Sequence, residues 1–180
     1  MTMTLWGRIQ TRLVLLSSVG LIWTLVISPF LPRPAGMPVS LAYQITLETS
    51  ISTALLGIGW EFVYHGLQQL RWDKDWPSVL SLLTGIVEGG LVWLLLHALI
   101  LVPGDGGLTS PILPLYVIHF STTWVLVWLI SQGPLRVVQL RWRFEGGSFS
   151  RRPPADSIIS FVVTNIGMAF ALVILWLVWH

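Results

Sequence analysis

The stretch TGIVEGGLVWLLLH, residues 84–97, sets one glutamate among glycines and then runs through eight residues without a charge. On a helix at the surface of a soluble protein, Glu88 would face water and need no explanation. In a helix that crosses a bilayer it must have a partner or a task, because an ionisable group in hydrocarbon is expensive.

Composition points to the bilayer. Hydrophobic residues make up 54% of the 180 residues and charged residues only 10%, against about one quarter charged in a typical soluble domain. So few charges cannot cover a surface in water. There is no cysteine, which excludes disulfides, thiolate catalysis, iron–sulfur clusters and cysteine zinc sites. The net charge of +2 carries little meaning by itself.

Outward from residues 84–97, apolar runs occupy residues 13–30, 41–67, 78–102, 112–131 and 157–179. Each can cross a hydrocarbon core of about 30 Å at about 1.5 Å per residue. The runs are continuous rather than alternating, so they predict helices and not a barrel. The expected fold is an all-α integral membrane bundle of five transmembrane helices, a single polytopic domain over residues 13–180 preceded by a cytoplasmic segment, 1–12. Pro111, Pro114, Gly133 and Pro134 crowd the ends of the fourth run. No small-residue cleavage site follows the first, so it reads as a retained anchor rather than a secretory signal.

The connections hold the charges. Arg8 and Arg12 precede the first run, Arg71 and Lys74 follow the second, and Arg136, Arg141, Arg143, Arg151 and Arg152 lie in a basic loop at 132–156; only Arg33 falls on the other side. The positive-inside rule then places the amino terminus in the cytoplasm and the carboxyl terminus outside. Trp72, Trp76 and Trp142 on the inner side and Trp176 and Trp179 on the outer fit interfacial belts. The localisation expected is a bacterial-type inner or cytoplasmic membrane. The five loop arginines suit anionic lipid headgroups or an acidic soluble subunit, and no nucleic acid is expected at a membrane-held segment. QLRW recurs at 69–72 and 139–142, an echo that interfacial composition also produces without duplication.

Six ionisable residues fall within the runs: Glu48, Glu61 and His65 in the second, Glu88 and His97 in the third, His119 in the fourth. Glu61 and His65 are four apart and share a helix face, so they could hydrogen-bond, bind a metal, or sit at headgroup level against the arginine-rich loops. Glu88 and His97 point in opposite directions, roughly 13 Å apart along the axis. On the face of Glu88 the cytoplasmic half carries Ser81, Thr84 and Gly85, whereas Glu48 shares the outer half of its helix with Gln44 and Ser52. Two polar half-stripes meeting from opposite sides are what a proton or cation path requires. The alternative is a protonated Glu88 hydrogen-bonded to a neighbour such as Asn165, with Gly85 and Gly89 permitting close helix packing. His97 and His119, with Glu48, form a candidate metal or haem set without a defined spacing motif. Walker, nucleophile-elbow, zincin and dinucleotide motifs are absent from the sequence.

Three functions follow. One is proton- or cation-linked transport with Glu88 as carrier and Glu48 and Glu61 lining the approaches, for which Glu88→Gln abolishes flux. The second is a non-catalytic accessory or scaffold subunit, in which Glu88→Gln is nearly silent. The third is a metal- or haem-dependent membrane enzyme. A homo-oligomer or a larger complex is expected from the small bundle and the Gly85/Gly89 face.

Overall fold

The computed structural model describes residues 4–70, 78–98 and 110–149, with backbone alone at Ala98 and Arg141. Thr4 starts the first helix: its hydroxyl accepts the Gly7 amide at 3.1 Å, satisfying one of the free donors of the opening turn. α1 (Leu5–Leu15) passes through a π-helical turn (Leu16–Gly20) into α2 (Leu21–Ile27) and a 3₁₀ turn (Ser28–Phe30). The widened turn follows Val14, whose carbonyl accepts both the Ser17 and Ser18 hydroxyls, a competition that loosens the regular ladder. Pro32 and Pro34 end the run, and Gly36, at a φ of 84°, turns the chain back. α3 is Val39–Leu70, α4 Ser78–Ala98 and α5 Leu113–Gln132; two short helices, α6 (Pro134–Val138) and α7 (Leu140–Phe144), follow.

Cross-helix bonds give the order. Ser28 pairs with Thr46 and Thr24 with Ser50, while Arg8 reaches Glu61, so α3 runs antiparallel to the first helical run. Tyr116 donates to the Gly89 carbonyl, Trp124 to Leu82 and Trp128 to Ser78, which sets α5 antiparallel to α4. An apolar core at the end where α3 begins joins Ala42, Ile45, Val92, Leu96 and Leu115. From it an aromatic ladder follows α5, with Tyr116, Phe120 and Trp124 stacked at 5.8 Å per step. Gly89 and Gly85 make room for it: a β-carbon on Gly89 would come within 2.7 Å of the Phe120 ring, and one on Gly85 would overlap Trp124. These glycines therefore admit aromatic rings of α5.

At the opposite end α7 and the segment after it are folded against α1. Thr4 N donates to Gly146 O at 2.9 Å, Trp142 Nε1 to Thr11 Oγ1 at 2.6 Å, and Phe149 N to Gln10 Oε1 at 2.9 Å. Gly146 and Gly147, with φ of 61° and 87°, supply the left-handed turn this requires.

The polarity of the bundle is reversed relative to a soluble protein. Ile86 is 73% exposed and Phe30 82%, whereas Glu88 is 1% exposed and Thr24, Ser28 and Thr46 are fully covered. An apolar exterior around a hydrogen-bonded polar interior is what lipid as solvent selects.

Among the described residues, three helical stretches are long and apolar enough to cross a membrane: Leu5–Phe30, Ser78–His97 and Leu113–Val138. They correspond to the first, third and fourth expected spans, the first beginning eight residues earlier than residue 13. α3 covers the expected second span but is not one of the three, since Gln44, Glu48, Glu61 and Gln68 lower its hydropathy. The expected fifth span, 157–179, lies outside the described residues, as do Asn165, Arg151 and Arg152.

Candidate functional site: a buried ion-pair network

Arg12 is the centre of the site. It stands inside α1, about 10 Å along the axis from Leu5, and its guanidinium end lies over Gly57 of α3, where any β-carbon would collide with the arginine. At Gly57 the guanidinium divides its bonds between two acids. Nε donates to Glu61 Oε1 at 2.8 Å, while Nη1 and Nη2 donate to Glu88 Oε2 and Oε1 at 2.5 and 3.0 Å. The bond to Glu88 is thus bidentate, the geometry in which a guanidinium is most specific.

One helical turn earlier, Arg8 continues the lattice. Its Nε donates to Glu61 Oε2 at 2.7 Å and its Nη1 to Gln68 Oε1 at 3.4 Å. Each Glu61 oxygen therefore takes a different guanidinium, and the four groups alternate in sign as Arg8, Glu61, Arg12 and Glu88. Spacing explains the arrangement: Arg8 and Arg12 are four apart on α1, and Glu61 and Gln68 are seven apart on α3, so each pair shares a face. The cluster has no net charge. Removing all four charges from water is costly, and only full mutual pairing makes such burial tolerable.

Beside this lattice a cavity of about 160 Å³ opens. Arg8, Arg12 and Glu61 form one wall, Ser81 and Thr84 of α4 another, and Trp124, Trp128 and Trp142 much of the remainder. The polar half-stripe expected on α4 thus lines a cavity next to Glu61 and Arg12. Tyr64 lines it as well, stacked on Trp60 at 5.5 Å between centroids.

The other singled-out residues are dispersed. Glu48 is half-buried, its Oε1 accepts from Gln44 at 2.9 Å, and it stands about 20 Å along the α3 axis from Glu61. His65 is half-buried and makes no hydrogen bond to Glu61, which is occupied by the arginines. His97 Nδ1 is 3.0 Å from the Trp93 carbonyl, and its ring packs on Trp93 at 4.2 Å. His119 is 1% exposed, with Nε2 3.0 Å from Thr24 Oγ1. Each of the three groups weighed as a metal set is held by different neighbours. Among the described residues there is no group of three His, Cys, Asp or Glu side chains able to hold a metal ion.

Position alone marks Arg8 and Arg12 as topological charges, whereas the structure sets both against buried glutamates. A signal was present. Thr4 is a helix cap, and Leu5, Trp6 and Ile9 continue the apolar pattern between the arginines, so the helix could be read from Leu5. The partner of Arg12 could not.

Comparison of the chain with known protein families, curated proteins and solved structures finds no match.

Proposed function

We propose that the protein is a multi-pass membrane component whose buried charges are structural, and that it acts as a non-catalytic accessory or scaffold subunit of a membrane assembly. The observation that carries this reading is the bidentate bond from Arg12 to Glu88, with Arg12 also bound to Glu61. A carboxylate that carries protons must exchange them with water. Glu88 is 1% exposed and faces a fixed cation, so protonating it would leave that cation partly uncompensated in a low-dielectric interior. The same bonds tie α1, α3 and α4 together at one level, a task a helix-organising lattice performs.

In this reading α3 also spans the membrane. Its 32 residues extend about 48 Å, and its polar side chains Thr46, Thr49, Ser52, Thr53, Glu61 and Gln68 are turned into the bundle. The amino terminus and the segment after α5 lie together on the cytoplasmic side, and the five spans expected from the sequence belong to this reading.

The deciding experiment pairs flux with partner capture. Purified protein in liposomes carrying a pH-sensitive dye is expected to pass protons no faster than empty liposomes under an imposed gradient. Native purification in mild detergent is expected to retain a partner protein at fixed stoichiometry. Proton flux that disappears in Glu88→Gln while the variant remains folded would overturn the structural reading and restore Glu88 as a carrier.

A further inference from the structure

Two arginines near the same end of the bundle face no carboxylate among the described residues. Arg8 and Arg12 are neutralised by Glu61 and Glu88. Arg136, by contrast, donates to the amide oxygen of Gln132, and Arg143 lies over the Phe144 ring at 5.6 Å from its centroid. Among the described residues, neither forms an ion pair with Asp or Glu. Both line one open groove of about 660 Å³, together with Gln132, Val137 and Phe144, and among the described residues no acidic side chain lines it.

The surroundings of the groove are apolar and uncovered. Val137 and Val138 are each 75% exposed, Leu140 60% and Phe144 77%. Arg136 lies within the last turn of the stretch Leu113–Val138, and Arg143 follows a few residues beyond. In a membrane this is headgroup level, with cationic side chains at the phosphates and valine and phenylalanine against the first methylenes. A soluble anion would use the arginines and leave the apolar rim in water. A phospholipid uses both.

We propose that the groove between Arg136 and Arg143 binds one anionic phospholipid headgroup, its phosphate held between the two guanidiniums. The inference rests on the membrane reading above but not on the scaffold role. Arginine suits the task because its planar fork can grip two phosphate oxygens. Concavity distinguishes the site from a diffuse basic surface: Arg136 is steadied by Gln132 and Arg143 by Phe144, so the two charges are held at a common groove.

The test is native mass spectrometry of the full chain released from micelles containing equal amounts of phosphatidylglycerol and phosphatidylcholine. The wild type is expected to retain one phosphatidylglycerol in preference. Each of Arg136→Gln and Arg143→Gln should lower that preference about fivefold, and the double variant should lose it. Arg33→Gln, at the other end of the bundle, should keep it. Arg136 and Arg143 are both exposed, so these changes leave the packed interior intact, and an unaltered helical circular dichroism spectrum verifies this. Equal retention of the two lipids, or a preference that survives in the double variant, would overturn the proposal. Displacement of the bound lipid by inorganic phosphate would overturn it too, by assigning the groove to a soluble anion.

Discussion

At the scale of single residues, the energetics turn on Arg12. Truncating one member of a buried ion pair leaves the other charge uncompensated, which costs about 3–5 kcal/mol. Arg12→Met and Glu88→Leu are therefore each expected to lose stability of that order. The double variant should recover most of it, because Arg8 and Glu61 remain as a neutral pair. Reversible unfolding in bicelles measures the cycle, and additive losses would show that the two side chains do not interact. Gly57→Ala is expected to cost about 1–3 kcal/mol in the same assay, since its methyl group would occupy the path of the Arg12 side chain. Glu88→Gln, which a scaffold role inferred from sequence alone would leave nearly silent, becomes a destabilising change once Arg12 is its partner. Loss of stability without any proton flux is the signature that separates the two roles.

At the scale of elements, the α4–α5 contact depends on small residues opposite large ones. Gly85 and Gly89 lie under Trp124 and Phe120, whereas Gly90, one position on, has open space where a side chain would go. Gly89→Leu is expected to destabilise by about 1–3 kcal/mol through overpacking. Gly90→Leu should be neutral or slightly favourable in lipid, since its side chain would leave the bundle. Equal losses at Gly89 and Gly90 would refute this assignment of the inner face. The G-x-x-x-G spacing was legible in the sequence, but its use was not. The same pattern serves packing of two backbones, a dimer, or the seating of rings, and only the register of α5 against α4 chooses among them.

At the scale of the whole molecule, the absence of cysteine makes topology directly measurable. Single cysteines at Ala35, in the turn before α3, and at Gln139, between α6 and α7, are both exposed. A membrane-impermeant maleimide applied to intact cells or oriented vesicles is expected to label Ala35→Cys and Gln139→Cys from opposite sides. Labelling of both from one side would remove the proposed orientation. The prior expectation rests on arginine and lysine placement, and the structure adds a physical link: the amino-terminal residues Thr4 and Gln10 bond to Gly146 and Phe149.

The sequence by itself determined the solvent and the element type. Long continuous apolar runs around scattered ionisable groups give helices in lipid, because every backbone amide must find a partner there and a barrel would demand alternating strands. It also marked Glu61 and Glu88 as residues that need an explanation, since a buried carboxylate is costly wherever it occurs. The partner of each carboxylate was decided by tertiary structure alone. Arg12 is 49 residues from Glu61 and 76 from Glu88, and no periodicity operates over such separations. What joins them is the antiparallel register of three helices and the missing side chain at Gly57, which lets one guanidinium pass across α3 and satisfy two acids at once.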